Sequence, residues 1–151
     1  MPVLQTSRLT LRPFREEDVD LLAPLMANPD FMRFSLGVFS REQTAAFLDK
    51  VVGWQRRGLP SQFGVIHRAD NRLIGYCGFL HQQVDGTDEI EIGYRLDPDY
   101  WSGGLATEAA QAVRDHAFRG GQGEGLSSQF TLAKRDGRWH VVENRDAVIT
   151  E

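Results

Sequence analysis

Glu89-Ile90-Glu91-Ile92-Gly93-Tyr94-Arg95-Leu96, then Asp97-Pro98, then Tyr100-Trp101-Ser102-Gly103-Gly104-Leu105-Ala106-Thr107-Glu108-Ala109 is the stretch on which the reading of this chain turns. Its first part alternates cleanly: Ile90, Ile92 and Tyr94 fall on one side, Glu89, Glu91 and Gly93 on the other, the period of a strand. In its last part and beyond, Leu105, Ala109, Ala112, Val113 and Ala117 repeat at helical spacing, which predicts a helix ending near Phe118. A glycine pair therefore sits where a strand hands over to a helix. The first N–H groups of a helix have no partner inside it and the dipole adds partial positive charge there, so a phosphate or pyrophosphate fits. Gly103 and Gly104 let an anion approach the backbone closely and permit positive φ. By themselves the glycines also suit an ordinary strand-to-helix turn in which they only relieve crowding. No Lys-Ser or Lys-Thr follows them and the Rossmann glycine spacing is absent, which argues against both nucleotide-binding loops.

Upstream, Arg8 to Arg12 alternates around Leu9 and Leu11 and reads as a strand ended by Pro13. Arg15 to Ala27 has helical spacing with Glu16, Glu17 and Asp18 in its first turn, and Pro24 predicts a kink or a break. Asn28-Pro29-Asp30 is a turn, and the aromatic segment Phe31 to Phe39 has no clean period. Ser40 with Gln43 forms a capping-box pattern. The helix it opens runs to about Arg57, with Ala46, Phe47, Val51 and Trp54 along one stripe. Gln62 to His67, Arg72 to Gln82 and Glu89 to Leu96 are three strands linked by turns at Asp70-Asn71 and Asp85-Gly86.

The chain has 151 residues, 41% of them hydrophobic and 25% charged, which fits one globular domain with a real core. No apolar run is long enough to cross a bilayer and no secretory pattern opens the chain, so a cytoplasmic location without membrane contact is expected. The net charge of -4 gives no global attraction to nucleic acid. One cysteine, Cys77, within an apolar strand, reads as a packing residue, and the four scattered histidines show no metal-ligand spacing, so no metal is expected.

Two blocks carry a resemblance. Thr6-Ser7-Arg8-Leu9-Thr10-Leu11-Arg12-Pro13 followed by Glu17-Asp18 forms one, and Glu91 to Leu96 with Asp97-Pro98 and Tyr100 to Ala109 forms the other. With the order strand, helix, helix, three antiparallel strands, glycine turn, helix, they resemble the GNAT acyl-CoA N-acyltransferases, in particular the ribosomal-protein alanine acetyltransferase branch. The resemblance spans about 6–118. It implies a single GNAT-like domain over 1–151 of the α/β (α+β) class, a mixed, mostly antiparallel sheet flanked by helices.

The same resemblance implies acetyl-CoA as co-substrate, a primary amine as acceptor (a protein N-terminus or a small molecule), and direct transfer between them. Trp101 takes the first position of the loop pattern, with Gly104 and Ala106 at its small-residue positions. Backbone N–H groups across Ser102, Gly103, Gly104, Leu105 and Ala106 would hold the pyrophosphate, with the Thr107 hydroxyl adding a bond. A basic residue often precedes the Gly104 position in this branch, and Gly103 stands there instead, one cation fewer. Pantetheine would add as a strand to the exposed edge of Glu91 to Leu96, and an N–H among Tyr94, Arg95 and Leu96 would stabilise the oxyanion. Glu91 is the candidate base, directly or through a water, with Glu89 a competitor; a solvated strand glutamate is the alternative. Phe31, Phe34 and Phe39 are candidates for the acceptor groove, or for the core.

The tail departs from the family. Gly120, Gly121, Gly123 and Gly125 read as a linker, and Phe130 to Lys134 with Trp139 to Glu143 as a hairpin around Asp136-Gly137. The family's asparagine-bearing helix and its proton-donating tyrosine or serine have no match. Phe130 to Lys134 is a candidate replacement for the fifth strand, and Ser127 or Ser128 for a group near the thiolate. A truncated or remodelled C-terminus would leave the cofactor groove open on one side and an apolar edge for self-association, for instance as a homodimer. Two readings stay open: an active N-acetyltransferase, or a non-catalytic acyl-CoA-binding or regulatory module.

Overall fold

The computed structural model describes residues 2–33, 35–84, 87–119, 130–135 and 138–143; for 80–84, 87–91, 118–119 and the residues after 129 the description is of the backbone. β1 (Leu4–Gln5), β2 (Leu9–Pro13), β3 (Gln62–His67), β4 (Arg72–Val84), β5 (Thr87–Leu96), β6 (Phe130–Arg135) and β7 (Arg138–Glu143) join in one sheet, ordered β1-β2-β3-β4-β5-β7-β6. Every neighbouring pair is antiparallel. The helices are α1 (Val19–Met26), α2 (Arg41–Arg56) and α3 (Leu105–Arg119).

Side-chain alternation divides the interior into two cores, one on each face of the sheet. On one face Leu9, Leu11, Ile74, Cys77, Phe79, Ile92 and Leu96 meet Leu105, Ala109, Val113 and Ala117 of α3. The small alanines let that helix lie close to the strands. On the other face Phe14, Leu73 and Tyr76 meet Leu22, Leu25 and Met26 of α1 and Leu48 and Val51 of α2. Each fully buried Val, Leu, Ile, Phe or Met among them stabilises the fold by about 1.5–3 kcal/mol relative to an exposed one.

β4 serves both cores through an irregularity. Leu73 and Tyr76 face one core and Ile74 and Cys77 the other, three residues apart in each case, which a regular strand does not allow. The β3–β4 register shifts between Val65 and Ile66, and that bulge supplies the missing half-turn. Three positions on, Gly78 lies so close to β3 that a Cβ there would stand 2.3 Å from the Ser61 carbonyl oxygen.

Two helical expectations need correction. Pro24 does not break α1, which runs through it; the division falls earlier, where a 3-10 turn over Glu16–Asp18 precedes the α-helix. The α2 stripe is Thr44, Leu48, Val51 and Val52. Ala46 is exposed and Phe47 and Trp54 only half-buried. The capping box is as read, with Ser40 Oγ accepting from the Gln43 N–H at 3.1 Å and Gln43 Oε1 from the Ser40 N–H at 2.8 Å.

The tail hairpin is formed, but its order is the reverse of the one expected. β7 pairs with β5 while Phe130 to Lys134, in β6, is the outer strand. The sheet is thereby extended beyond β5 and not left open along its whole length. Gly120 to Gly125, Ser127, Ser128 and Asp136-Gly137 lie outside the described residues, as does the turn Asp85-Gly86. Among the described residues no helix is long and apolar enough to cross a membrane.

Candidate functional site

The edge of β5 decides which backbone groups a ligand can meet. Asp97 N–H bonds to the Ile74 carbonyl at 2.7 Å, so at this end of the β4–β5 ladder residues 97 and 95 turn their polar groups toward β4. By alternation Tyr94 and Leu96 turn theirs the other way. β7 takes that outer edge at Ile90, Glu91 and Ile92, and among the described residues no strand pairs with it from Gly93 to Leu96. The exposed edge expected over Glu91 to Leu96 is therefore shorter, and it begins where β7 leaves off.

Within that edge the Leu96 carbonyl is already used, because Trp101 Nε1 donates to it at 2.8 Å. The outward N–H groups of Tyr94 and Leu96 remain. The Arg95 N–H faces β4 and so does not fit the oxyanion role, but the residue lines the groove, its guanidinium donating to the Phe31 carbonyl at 3.4 Å and to Ser35 Oγ.

The turn that follows is held from behind. Asp97, 5% exposed, accepts from Arg72 Nη2 at 2.9 Å and from the Asp99 N–H at 3.0 Å. Tyr100 donates its hydroxyl to Asp70 at 2.6 Å, a bond that pushes the phenol pKa up. Both anchors come from the β3–β4 turn and its flank. Ser102 (φ +69°) and Gly104 (φ +79°) then take left-handed conformations that bend the chain into α3.

Gly104 is the N-cap of α3, its carbonyl accepting from the Glu108 N–H at 3.0 Å. A glycine there has no side chain to cap the first turn. The N–H groups of Leu105, Ala106 and Thr107 accordingly form no hydrogen bond with the described residues. A groove of about 430 Å³ runs along them. Its one end is Ser102, Gly104, Leu105, Ala106 and Thr107, its middle Tyr94, Leu96 and Trp101, and its far side Asp30, Phe31 and Arg33 from the loop after α1. Unpaired donors at a helix start and an unpaired strand edge thus share one continuous cleft, suited to an anion followed by an extended chain.

The remaining expected residues are placed as follows. Gly103 does not line the groove, and its carbonyl points at Arg8. Phe31 lines it but is 2% exposed, with its ring edge-on to Tyr76 at 6.0 Å, so it is a core residue forming a wall. Phe39 packs half-buried against the α1–α2 core, and Phe34 lies outside the described residues. The Glu91 backbone pairs with Leu80 and His140, and its register puts it on the strand face of Arg95; the side chains of Glu91 and Glu89 lie outside what is described.

Three charged residues near the groove are not among the site residues expected from the sequence. Asp30 lines it, Arg33 stacks on the Trp101 ring 5.7 Å from its centroid, and Arg8 reaches the glycine turn from the start of the chain. Cys77 is fully buried, and burial pushes its thiol pKa up, as a packing residue requires. Among the described residues no group of three or more His, Cys, Asp or Glu is placed to hold a metal ion.

Residues 8–141 match the family model of the acetyltransferase (GNAT) domain, and the chain belongs to that family of enzymes. It is 31% identical over 121 residues to an uncharacterized N-acetyltransferase p20 of Bacillus licheniformis, covering 78% of this chain and 67% of that protein. It is 32% identical over 117 residues to an uncharacterized N-acetyltransferase YnaD of Bacillus subtilis, covering 77% and 65%. The chain thus spans about two thirds of the length of these curated relatives. Among solved structures, a GNAT-family acetyltransferase from Bacillus anthracis is similar with a TM-score of 0.65 at 22% identity, over 96% of this chain and 100% of that one. RimL, a ribosomal L7/L12 alpha-N-protein acetyltransferase in complex with coenzyme A, is similar with a TM-score of 0.64 at 18% identity, again over 96% and 100%. At these identities the two structures bear on the fold.

Proposed function

We propose that the chain transfers an acetyl group from acetyl-CoA to a primary amine, a protein N-terminus or a small molecule, by direct attack without a covalent enzyme intermediate. One observation carries this reading: the unpaired N–H groups at the start of α3 and the unpaired edge of β5 line the same groove. The donor set fits the co-substrate. The N–H groups of Leu105, Ala106 and Thr107 suit its pyrophosphate, and the outward groups of Tyr94 and Leu96 suit its amide-bearing arm.

An acetyl thioester supplies an electrophilic carbonyl carbon; the neutral amine nitrogen bonds to it, the carbon–sulfur bond breaks, the thiolate leaves with the electron pair, and the proton that the nitrogen sheds to become an amide is taken up by the thiolate. An N–H of β5 offers the hydrogen bond on which the oxyanion settles. An ammonium acceptor must first lose a proton, and Glu91 is assigned as the base, directly or through a water. Its support is its register position on the strand face of Arg95, whose guanidinium ties β5 to the loop carrying Phe31 and Ser35.

Thiol release from acetyl-CoA with a panel of amines, measured beside calorimetric binding of CoA, tests the reading. Turnover with any amine supports it. Binding without turnover would favour a non-catalytic acyl-CoA module, and absence of binding overturns both. Glu91→Gln is expected to leave CoA binding intact and slow transfer; an unchanged rate across pH removes Glu91 from the mechanism.

A further inference from the structure

The loop itself contains no lysine or arginine between Tyr100 and Thr107. A cation is nevertheless present at it. Arg8 Nη1 donates to the Gly103 carbonyl at 2.8 Å, across 95 residues of sequence. The same side chain is held in place by Glu108 in the first turn of α3, with Nε donating to Oε1 at 2.9 Å and the Arg8 N–H to Oε2 at 3.1 Å. The Thr6 hydroxyl donates to the same carboxylate. Both Glu108 carboxylate oxygens thus accept hydrogen bonds from the Thr6–Arg8 segment.

A trans peptide points its C=O and its N–H opposite ways. With the Gly103 carbonyl fixed on Arg8, the N–H of Gly104 is aimed away from Arg8. Gly104 lines the groove, whereas Gly103 does not. Neither residue carries a Cβ, and Gly104 sits at positive φ, so nothing within the loop resists rotation of that peptide. The restraint has to come from outside it.

We propose that Arg8 is a positioning residue for the anion loop, which turns the Gly103–Gly104 peptide so that its N–H faces the bound pyrophosphate and adds a cation behind it. This rests on the reading of Ser102 to Thr107 as the pyrophosphate loop. The charge is close: a Cβ built on Gly104 would lie 3.6 Å from Arg8 Nη2. Burial works against the charged form of Glu108, yet the Thr6 hydroxyl and Arg8 hold its carboxyl below the usual range, so the clamp is ionised at neutral pH.

The test compares two acetyl donors, acetyl-CoA and S-acetylpantetheine, which lacks the pyrophosphate. Arg8→Gln is expected to raise KM for acetyl-CoA and Kd for CoA about tenfold, with kcat retained and KM for S-acetylpantetheine unchanged. Arg8→Lys, a point charge without the planar fork, restores only part of the loss. Glu108→Gln, which frees Arg8 without removing it, moves KM for acetyl-CoA in the same direction by less and carries the test if Arg8→Gln does not fold. An unchanged KM for acetyl-CoA in folded variants overturns the inference. So does an equal loss with both donors, which marks a general structural effect. Failure of the unsubstituted chain to bind CoA removes the site reading instead, and is told apart by that control.

Discussion

The guanidinium of Arg12 and the carboxylate of Asp18 face each other through two parallel bonds, Nη1 to Oδ2 and Nη2 to Oδ1, both of 2.8 Å. The fork joins the end of β2 to the 3-10 turn that starts α1, and Asp18 also accepts from the Arg15 N–H at 2.8 Å. Burial alone would raise the carboxyl pKa of Asp18, at 3% exposure, but Arg12 and the Arg15 N–H outweigh it and hold it below the usual range. Asp18→Asn is expected to cost about 2–3 kcal/mol, because it leaves a largely buried guanidinium without its countercharge. Since the folded carboxyl titrates lower than the unfolded one, near pH 3.9, the stability it gives is fully present above that pH and disappears as pH falls through the folded value. Urea melts of both forms should show a gap at pH 7 that narrows below about pH 4; a gap independent of pH would contradict the assignment.

At Gly104 two effects can be separated. Any side chain there meets the φ of +79°, a strain of about 1–2 kcal/mol. Gly104→Ala adds only that strain, while Gly104→Glu also sets a carboxylate beside Arg8, whose Nη2 lies 3.6 Å from the Cβ position, where it offsets the cation at the loop and repels an anion bound there. Calorimetry should find CoA binding weakened by the alanine and abolished by the glutamate, with circular dichroism unchanged in both. Equal affinities in the two variants would remove the anion from the site.

Gly78 offers a test of how closely β3 and β4 pack. A Cβ there would stand 2.3 Å from the Ser61 oxygen and 2.6 Å from Gln62 Cα, both backbone. Gly78→Ala must push β3 and β4 apart at this point and should lower stability by about 1–3 kcal/mol. A melting temperature equal to that of the unsubstituted chain would mean that the strands do not approach this closely.

Much of this architecture can be read along the chain, where the signals are local. β3 spans Gln62–His67 as read from the sequence, and the Ser40–Gln43 box starts α2. The glycine turn stands between β5 and α3 as its spacing requires. The misreadings have physical causes. Pro24 is tolerated because an eight-residue helix forfeits a single internal donor at that position. Thr44 displaced Phe47 from the buried stripe because its hydroxyl donates to the Ser40 carbonyl at 2.9 Å and so loses little on burial. Arg8 and Glu108 lie 100 residues apart, and neither carries a local mark of the other. Nor does any strand pattern specify which arm of the tail hairpin lies against β5; that choice depends on the tertiary arrangement.

β7 pairs with β5 as far as Ile92 and there lets go. At about 3.4 Å per residue, the stretch Gly93 to Leu96 leaves roughly 14 Å of strand before the glycine turn. On the proposed reading, the point of separation would act as a ruler between the pyrophosphate at the start of α3 and the reacting carbon. Carrying the pairing on to Tyr94 would shorten the ruler by two residues and consume one of the two outward donors. Reach and donor placement are set together, by where two neighbouring strands part company.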